Sequence, residues 1–214
     1  MINGNAINNV TAVKYLGVIL TSNFSWSNHI SAISSKARKL IRVLYRKFYH
    51  HSDPQTLLRL YQSLIHPHLK YACSIWDPHL KKNIEMLESV QKFGLKVCLK
   101  QWHSTCENLL DQAGIPSLAV RCKLLKLCQL YNILNGHVNF HNLPTSSRPT
   151  LFVNRIRSVH PLSLSKPFSH SNFHCSSFFP CAISLWNTVP RDICTCHTLQ
   201  TFKRAVLNHF TYHS

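Results

Sequence analysis

Residues 27–49 read SNHISAISSKARKLIRVLYRKFY, and this stretch decides the fold class. Its apolar residues recur every three or four positions, the spacing that places side chains on one face of an α-helix. They are Ile30, Ile33, Ala37, Leu40, Ile41, Leu44 and Phe48. Ser27 is a candidate N-cap, because its hydroxyl can accept a backbone N–H of the first turn. The pattern predicts a helix from residue 27 to about residue 49.

The remaining positions of this predicted helix carry six cations and no acid. The cations are Lys36, Arg38, Lys39, Arg42, Arg46 and Lys47. Most charged helix faces are simply solvated, but those faces usually mix the two signs. Six like charges on one helix repel one another unless a polyanion lies nearby. The composition of this segment therefore favours a phosphate-facing role over a solvated surface.

The sequence that follows predicts further helices, so that residues 27–136 form a bundle of about five. Asp53-Pro54 and Asp77-Pro78 are typical helix starts, since Asp can cap the first turn and Pro lacks only an N–H that has no partner there. Pro67 is expected to kink or end the helix that begins at Asp53-Pro54. Two later helices are expected to begin near residues 104 and 117.

The N-terminal segment has a different pattern. Residues 13–20 read VKYLGVIL, a nearly continuous apolar run that predicts a buried strand. Residues 24–26 (FSW) predict a short returning strand, and we expect the other strands of the sheet to lie outside this chain.

Residues 137–180 are loop-rich. They hold half of the ten prolines, with a short strand expected near residues 151–153. The predicted fold class is thus mainly α: an N-terminal β-hairpin (residues 1–26), a helical bundle (27–136), a Pro/Ser/His-rich loop segment (137–180) and short C-terminal helices (181–214).

The charge of the chain indicates a polyanionic partner and excludes one class of chemistry. The 214 residues include 24 Lys and Arg against 7 Asp and Glu, a formal net charge of +17. Nucleic acid is the commonest partner of such proteins, because cations release condensed counterions from phosphates. A polymerase or nuclease site that clamps two divalent metals needs several converging carboxylates. With seven acids, no two of them adjacent, this chain is not expected to assemble one.

The first residues contain neither a basic nor an apolar signal region, and no run of about 18 apolar residues occurs. We therefore expect an intracellular protein, nuclear or cytoplasmic and not secreted, whose nine cysteines are reduced. No helix combines a basic face with a strong Trp/Phe/Leu face, so no membrane partner is expected. The chain has five glycines and no Gly-rich phosphate loop, so no small-molecule substrate is expected.

Two groups of side chains are candidates for further chemistry. The late Cys/His residues could ligate zinc, although their spacing does not match the usual paired knuckles, and incidental thiols are the alternative. They are His174, Cys175, Cys181, Cys194, Cys196 and His197. Aromatic residues near cations could stack on bases. They are Tyr45 and Tyr49 beside the basic helix, Trp102 beside Lys100, and Trp186, which we expect to be core instead.

Several runs occur in a characteristic order along the whole chain. Residues 14–20 (KYLGVIL) precede 24–26 (FSW), then come 60–72 (LYQSLIHPHLKYA), 87–93 (LESVQKF) and 185–190 (LWNTVP). In this order they resemble the C-terminal part of reverse transcriptases from non-LTR (LINE-type) retrotransposons, particularly the jockey-like group. The resemblance implies a hairpin remnant of the palm that grips the primer, followed by the thumb, which holds the template–primer duplex.

The resemblance also implies roles for particular residues. Tyr15, Leu16 and Gly17 would form the primer-facing hairpin, and Gly17 suits a backbone that approaches a sugar-phosphate closely. The residues expected to contact phosphate are Lys36, Lys39, Arg42 and Arg46. A thumb needs such cations and no sequence readout, and its partner is the RNA or DNA template–primer backbone.

The family's catalytic Asp pair should precede Tyr15, whereas no Asp precedes Asp53. We therefore predict that the chain alone is inactive, with no catalytic residue and no cofactor of its own, although the family's polymerases use Mg²⁺. Two alternatives remain open. One is a domesticated, noncatalytic helical module that binds RNA or DNA, and the other is a nonfunctional relic that aggregates through its exposed strand.

Overall fold

The computed structural model describes residues 10–138, 162–168 and 171–212. Its strands are β1 (Ala12–Tyr15) and β2 (Val18–Thr21). Its helices are α1 (Ser27–Phe48), α2 (Pro54–Leu60), α3 (His66–Lys70), α4 (Cys73–Trp76), α5 (Lys81–Leu99), α6 (Cys106–Ala113), α7 (Leu118–Leu134), α8 (Asn172–Cys175), α9 (Phe178–Trp186), α10 (Arg191–Cys194) and α11 (Leu199–Tyr212), with a π-helical turn (Tyr61–Ile65) between α2 and α3. The predicted fold class, mainly α after a short N-terminal hairpin, is confirmed.

The described residues form two compact units. The first unit comprises those of Met1–Ala72 and Pro78–Leu109, and the second those of Cys73–Asp77 and Leu110–Ser214. The three sequence-based boundaries, at residues 26, 136 and 180, and the four segments that they define stay predictions. The strand expected near residues 151–153, and most of the loop segment that would contain it, lie outside the described residues.

The N-terminal hairpin corrects the prediction of one buried strand over residues 13–20. The chain reverses at Leu16 and Gly17, so that Tyr15 pairs with Val18 and β1 runs antiparallel to β2. Both turn residues have positive φ, 45° for Leu16 and 84° for Gly17, as in the tight turns that match strand twist. Val18 is buried, whereas Val13 and Tyr15 are exposed. The apolar run continues through the turn, because Leu16 occupies a turn position that usually carries Asn, Asp or Gly. The sequence pattern therefore gives no sign of the turn.

The returning strand predicted at residues 24–26 is also wrong. The Phe24 N–H donates to the carbonyl of Thr21 at 2.8 Å, and Phe24 has a φ of 52°. These features make a turn that leads directly into α1. The returning strand of the hairpin is instead β2, which begins six residues before the predicted strand and pairs with β1.

Helix α1 has the predicted extent, and its predicted apolar face is buried or half-buried except at Phe48, which is 43% exposed. Ile30, Ala37, Ile41 and Leu44 are all buried, because they recur on the side that packs on the rest of the first unit. The N-cap position is occupied by Trp26, which makes no side-chain cap, so the prediction for Ser27 is wrong by one residue. The helix therefore begins at Ser27, three residues before the first apolar residue of the stripe, and has no capping hydroxyl.

Of the two predicted Asp-Pro helix starts, one is confirmed. The Asp53 carboxylate accepts the N–H groups of Gln55 and Thr56, both at 3.1 Å, and caps α2. At Asp77-Pro78 no helix starts, since α5 begins at Lys81. The Asp77 carboxylate instead lies 2.7 Å from the buried ammonium of Lys126. An ion pair with a residue 49 positions away has replaced the local cap.

Within the first unit, α1 and α5 pack side by side and run in the same direction. Asn83 Nδ2 donates to Ser27 Oγ at 3.2 Å near the start of both helices. Farther along, Arg38 Nη2 donates to Ser89 Oγ at 2.7 Å. These two contacts fix the register of the helix that carries the cations.

The π-helical turn meets α5 at Gly94. A Cβ added to Gly94 would lie 2.5 Å from Cε2 of the buried Tyr61 ring, so only glycine allows this approach. The turn precedes Pro67, whose ring would clash with a carbonyl in a regular α-helix and whose nitrogen cannot donate. The helix widens into the π-helical turn just before Pro67 and ends at Lys70, in agreement with the expectation that Pro67 kinks or ends it.

The second unit packs α7 against α9 and α11 through aromatic rings. The ring centroids of Tyr131 and Phe202 lie 4.6 Å apart, and those of Trp186 and Phe202 lie 5.9 Å apart. The Trp186 indole N–H donates to the Leu162 carbonyl at 3.0 Å. The expectation that Trp186 belongs to the core is confirmed.

Candidate nucleic-acid interface

The four cations expected to contact phosphate share one exposed face of α1. Lys36, Lys39, Arg42 and Arg46 are all solvent-exposed. At about 100° per residue they occupy an arc of roughly 120°, opposite the buried side of the helix. Their spacing of three, three and four residues places successive charges about 4.5–6 Å apart along the axis. We call these four residues the basic face.

No carboxylate neutralises the basic face within the described residues. Two ion pairs of the described residues lie elsewhere: Lys81 pairs with Glu85 on the surface, and Lys126 pairs with Asp77 in the interior. Arg38 differs from the other cations of α1, because its guanidinium is held by Ser89. The positive potential also reaches α3, where burial and then the charge of Lys36 lower the pKa of His68.

A shallow depression runs along the same side of α1. It is lined by Lys39, Arg42, Val43, Tyr45 and Arg46. Two of these residues, Val43 and Tyr45, are large apolar side chains that remain exposed. The basic face is therefore not uniformly charged but has apolar surface between and beside its cations.

The turn of the hairpin is anchored by Tyr71, which follows α3. The Tyr71 hydroxyl donates to the Leu16 carbonyl at 2.9 Å, and its ring lies 3.4 Å from the position of a Cβ on Gly17. The side chains of Tyr15 and Leu16 remain exposed, at 64% and 73% of their surfaces. The turn thus exposes the side chains of Tyr15 and Leu16, while Tyr71 holds its backbone in place.

The second anchor of the hairpin is His29, in the first turns of α1. The Ile19 N–H donates to His29 Nδ1 at 3.3 Å, so β2 is tied to the helix that carries the basic face. Burial lowers the pKa of His29, which favours the neutral ring that can accept this hydrogen bond. Sequence reasoning missed both anchors. The signals were a histidine beside the apolar stripe of α1 and a tyrosine directly after a predicted helix.

The linkage between His29 and pH gives a testable prediction. Since the folded-state pKa lies below the ordinary 6.5, the unfolded chain binds the proton more readily. The contribution of neutral His29 to the free energy of unfolding is therefore fully present above pH 6.5 and is lost as the pH falls below that value. We expect His29→Asn to flatten the pH dependence of stability, because the Asn side chain offers an acceptor that does not titrate. A variant that loses the hydrogen bond from the Ile19 N–H should be less stable by about 1 kcal/mol. Thermal melts of both proteins between about pH 7.5 and 5 measure the difference. Identical pH dependence in the two proteins would contradict the assignment.

No group of three or more His, Cys, Asp or Glu side chains is placed to hold a metal ion in the ranges that the structure describes. The late cysteines instead donate to backbone carbonyls, Cys181 to that of Cys175 and Cys196 to that of Asp192. Burial raises the pKa of Cys194 to about 12, which disfavours the thiolate that zinc requires. The alternative of incidental thiols agrees with these contacts.

Across the described ranges, each helix is either too short or too polar to span a lipid bilayer.

Two curated proteins are similar to parts of the chain. An uncharacterized protein of Caenorhabditis elegans is 25% identical over 131 residues, which cover 60% of this chain and 66% of that protein. A probable RNA-directed DNA polymerase from transposon X-element of Drosophila melanogaster is 28% identical over 82 residues, which cover 37% of this chain and 9% of the polymerase. No protein-family model and no solved structure matches. Part of this chain is thus similar to a small part of a transposon RNA-directed DNA polymerase.

Proposed function

We propose that this chain corresponds to the primer-grip hairpin and thumb of a reverse transcriptase from a non-LTR, jockey-like retrotransposon. In this proposal it holds a template–primer duplex by its backbone and does not itself transfer phosphoryl groups. The order of the sequence runs and the partial similarity to a transposon polymerase support the origin. The observation that carries the binding role is the basic face, four exposed cations without an acid on a helix whose other side is buried.

The contacts expected of such a protein are electrostatic and independent of sequence. From Lys36 to Arg46 the basic face extends about 15 Å along α1, which matches about four nucleotides of a duplex strand. The depression between Arg42 and Arg46 gives a phosphate group a place to approach two guanidinium groups. The hairpin turn, fixed by Tyr71 and His29 at the other end of α1, would face the primer.

The proposed lack of catalysis rests on how the acids are used. Asp53 caps α2, Asp77 pairs with Lys126 and Glu85 pairs with Lys81, so at least three of the seven carboxylates already have other partners. Phosphoryl transfer by two metal ions requires carboxylates that converge on one point. The magnesium ions of the parent polymerase would be held by residues of its palm.

Binding to duplexes of unrelated sequence tests the proposal. Fluorescence anisotropy with an RNA–DNA hybrid and with DNA duplexes, between about 50 and 200 mM salt, gives the association constant at each concentration. We expect its logarithm to fall linearly with the logarithm of the salt concentration, with a slope of about −3.6 if all four cations contact phosphate. Similar constants for all sequences are expected. A slope near zero, or a strong preference for one sequence, would contradict the proposal.

A further inference from the structure

Four rings gather at the C-terminal end of α1, and we call them the aromatic patch. They belong to Tyr45, Tyr49, His50 and Trp102. The centroids of Tyr45 and Tyr49 are 4.6 Å apart, and the Trp102 ring meets Tyr45 edge-on at 6.2 Å. Trp102 lies 53 positions after Tyr49 in the sequence, and the fold places the two side chains in contact. All four residues lie in the first unit.

Trp102 is held in a fixed orientation although much of it is exposed. Its indole N–H donates to the Tyr49 hydroxyl at 3.2 Å, and its backbone carbonyl accepts the ammonium of Lys96. Still, 41% of the surface of Trp102 and 36% of that of Tyr45 remain open to solvent. Large exposed rings that are held by polar bonds can bind a flat ligand with little further loss of conformational freedom.

The surroundings of the aromatic patch are cationic. The Lys100 ammonium lies 5.2 Å from the centroid of the Tyr49 ring. Tyr45 lines the same depression as Arg42 and Arg46, so the patch is continuous with the basic face. Rings flanked by cations suit a ligand that has flat apolar faces joined by anionic groups.

We propose that the aromatic patch binds unpaired bases of single-stranded nucleic acid by stacking on Tyr45 and Trp102. The neighbouring phosphates of the same strand would lie on Arg42 and Arg46, and in this respect the inference rests on the proposed function. Bases inside a duplex are already stacked on each other, so the occupant is a strand without a complement, such as an overhang at the end of a duplex. Every base has a π face, so the site tolerates any sequence.

A pair of oligonucleotides of equal charge tests this inference. One is a single strand of about twelve thymidines, and the other has the same length and backbone but no bases. We expect the thymidine strand to bind about 5- to 150-fold more tightly, the range that a single stacked base provides. Equal affinities of the two strands would overturn the inference. If both strands bind equally and with a steep salt dependence, the proposed function survives. If neither strand nor duplex binds, both proposals fail.

Variants then locate the stacking. Trp102→Leu should lower the affinity for thymidine strands and reduce the ratio of the two affinities, and the double variant Tyr45→Leu with Trp102→Leu should bring that ratio close to one. The affinity for the strand without bases should stay unchanged, which also shows that the variant is folded. The matched control is Phe168→Leu, which removes a ring that is 81% exposed in the second unit and should leave the ratio unchanged. A ratio that survives Trp102→Leu would overturn the assignment to this patch, as would docking of a protein partner there without any base dependence.

Discussion

Replacement of Arg42 and Arg46 together by Glu should weaken the binding of every duplex by the same factor and flatten the salt dependence. Each phosphate contact contributes about 0.9 to the slope of the logarithm of affinity against that of salt. Loss of two contacts should therefore reduce the slope by about 2 and the affinity by roughly 50- to 100-fold near 0.1 M salt, and repulsion by the new carboxylates adds to this loss. Anisotropy titrations at several salt concentrations measure both quantities.

The matched control is Lys81→Glu together with Lys82→Glu. These two lysines are exposed at the start of α5, in the same unit, and their replacement changes the net charge by the same amount. We expect the control to alter the slope much less than the α1 variant, since surface charges farther than about 8–10 Å from a phosphate are screened. An equal effect of the two double variants would show that net charge alone, and not the basic face, determines binding.

The second large effect is expected from Asp77→Ala. This carboxylate lies 2.7 Å from Lys126, whose side chain is only 4% exposed. Removal of one partner of a buried pair leaves an uncompensated charge in the interior, which typically costs about 3–5 kcal/mol. We expect the free energy of unfolding to fall by this amount in urea titrations, with an unchanged slope if the transition stays two-state.

The combination of Asp77→Ala with Lys126→Met separates the pair from its context. If the cost of the single variant comes from the stranded ammonium, the double variant should regain most of the lost stability, because a buried pair can often be replaced by apolar residues at little cost. A double variant that is less stable than the single one would mean that Asp77 acts through another partner.

The sequence predicted the helices well wherever a periodic apolar face coincides with a buried one. Helix α1 is the clearest case, since its apolar residues recur every three or four positions and its six Lys and Arg residues occupy positions between them. The hairpin was predicted less well, because Leu16 lies in the turn and keeps the apolar run continuous. Periodicity reports burial, and a turn made by an apolar residue leaves no trace in it.

In the candidate interface, too, local sequence patterns reveal some features and miss others. The four cations could be found from sequence because they lie on one helix, where spacing alone fixes their mutual positions. The aromatic patch could be found only in pieces, since Trp102 joins Tyr45 and Tyr49 through the packing of α5 on α1. The anchoring of the hairpin by Tyr71 and His29 is likewise a long-range contact that no local pattern encodes.

The length of α1 has a consequence for the ligand. His29 ties the hairpin to one end of this helix, and Tyr49 joins the aromatic patch at the other. Twenty residues at about 1.5 Å each separate them by about 30 Å, close to nine base-pair steps of about 3.4 Å. An uninterrupted helix changes length very little, so α1 holds the hairpin and the aromatic patch at a fixed distance from each other. If both proposals hold, a nucleic acid much shorter than this distance should occupy one end or the other but not both, and affinity should rise abruptly once the ligand reaches that length.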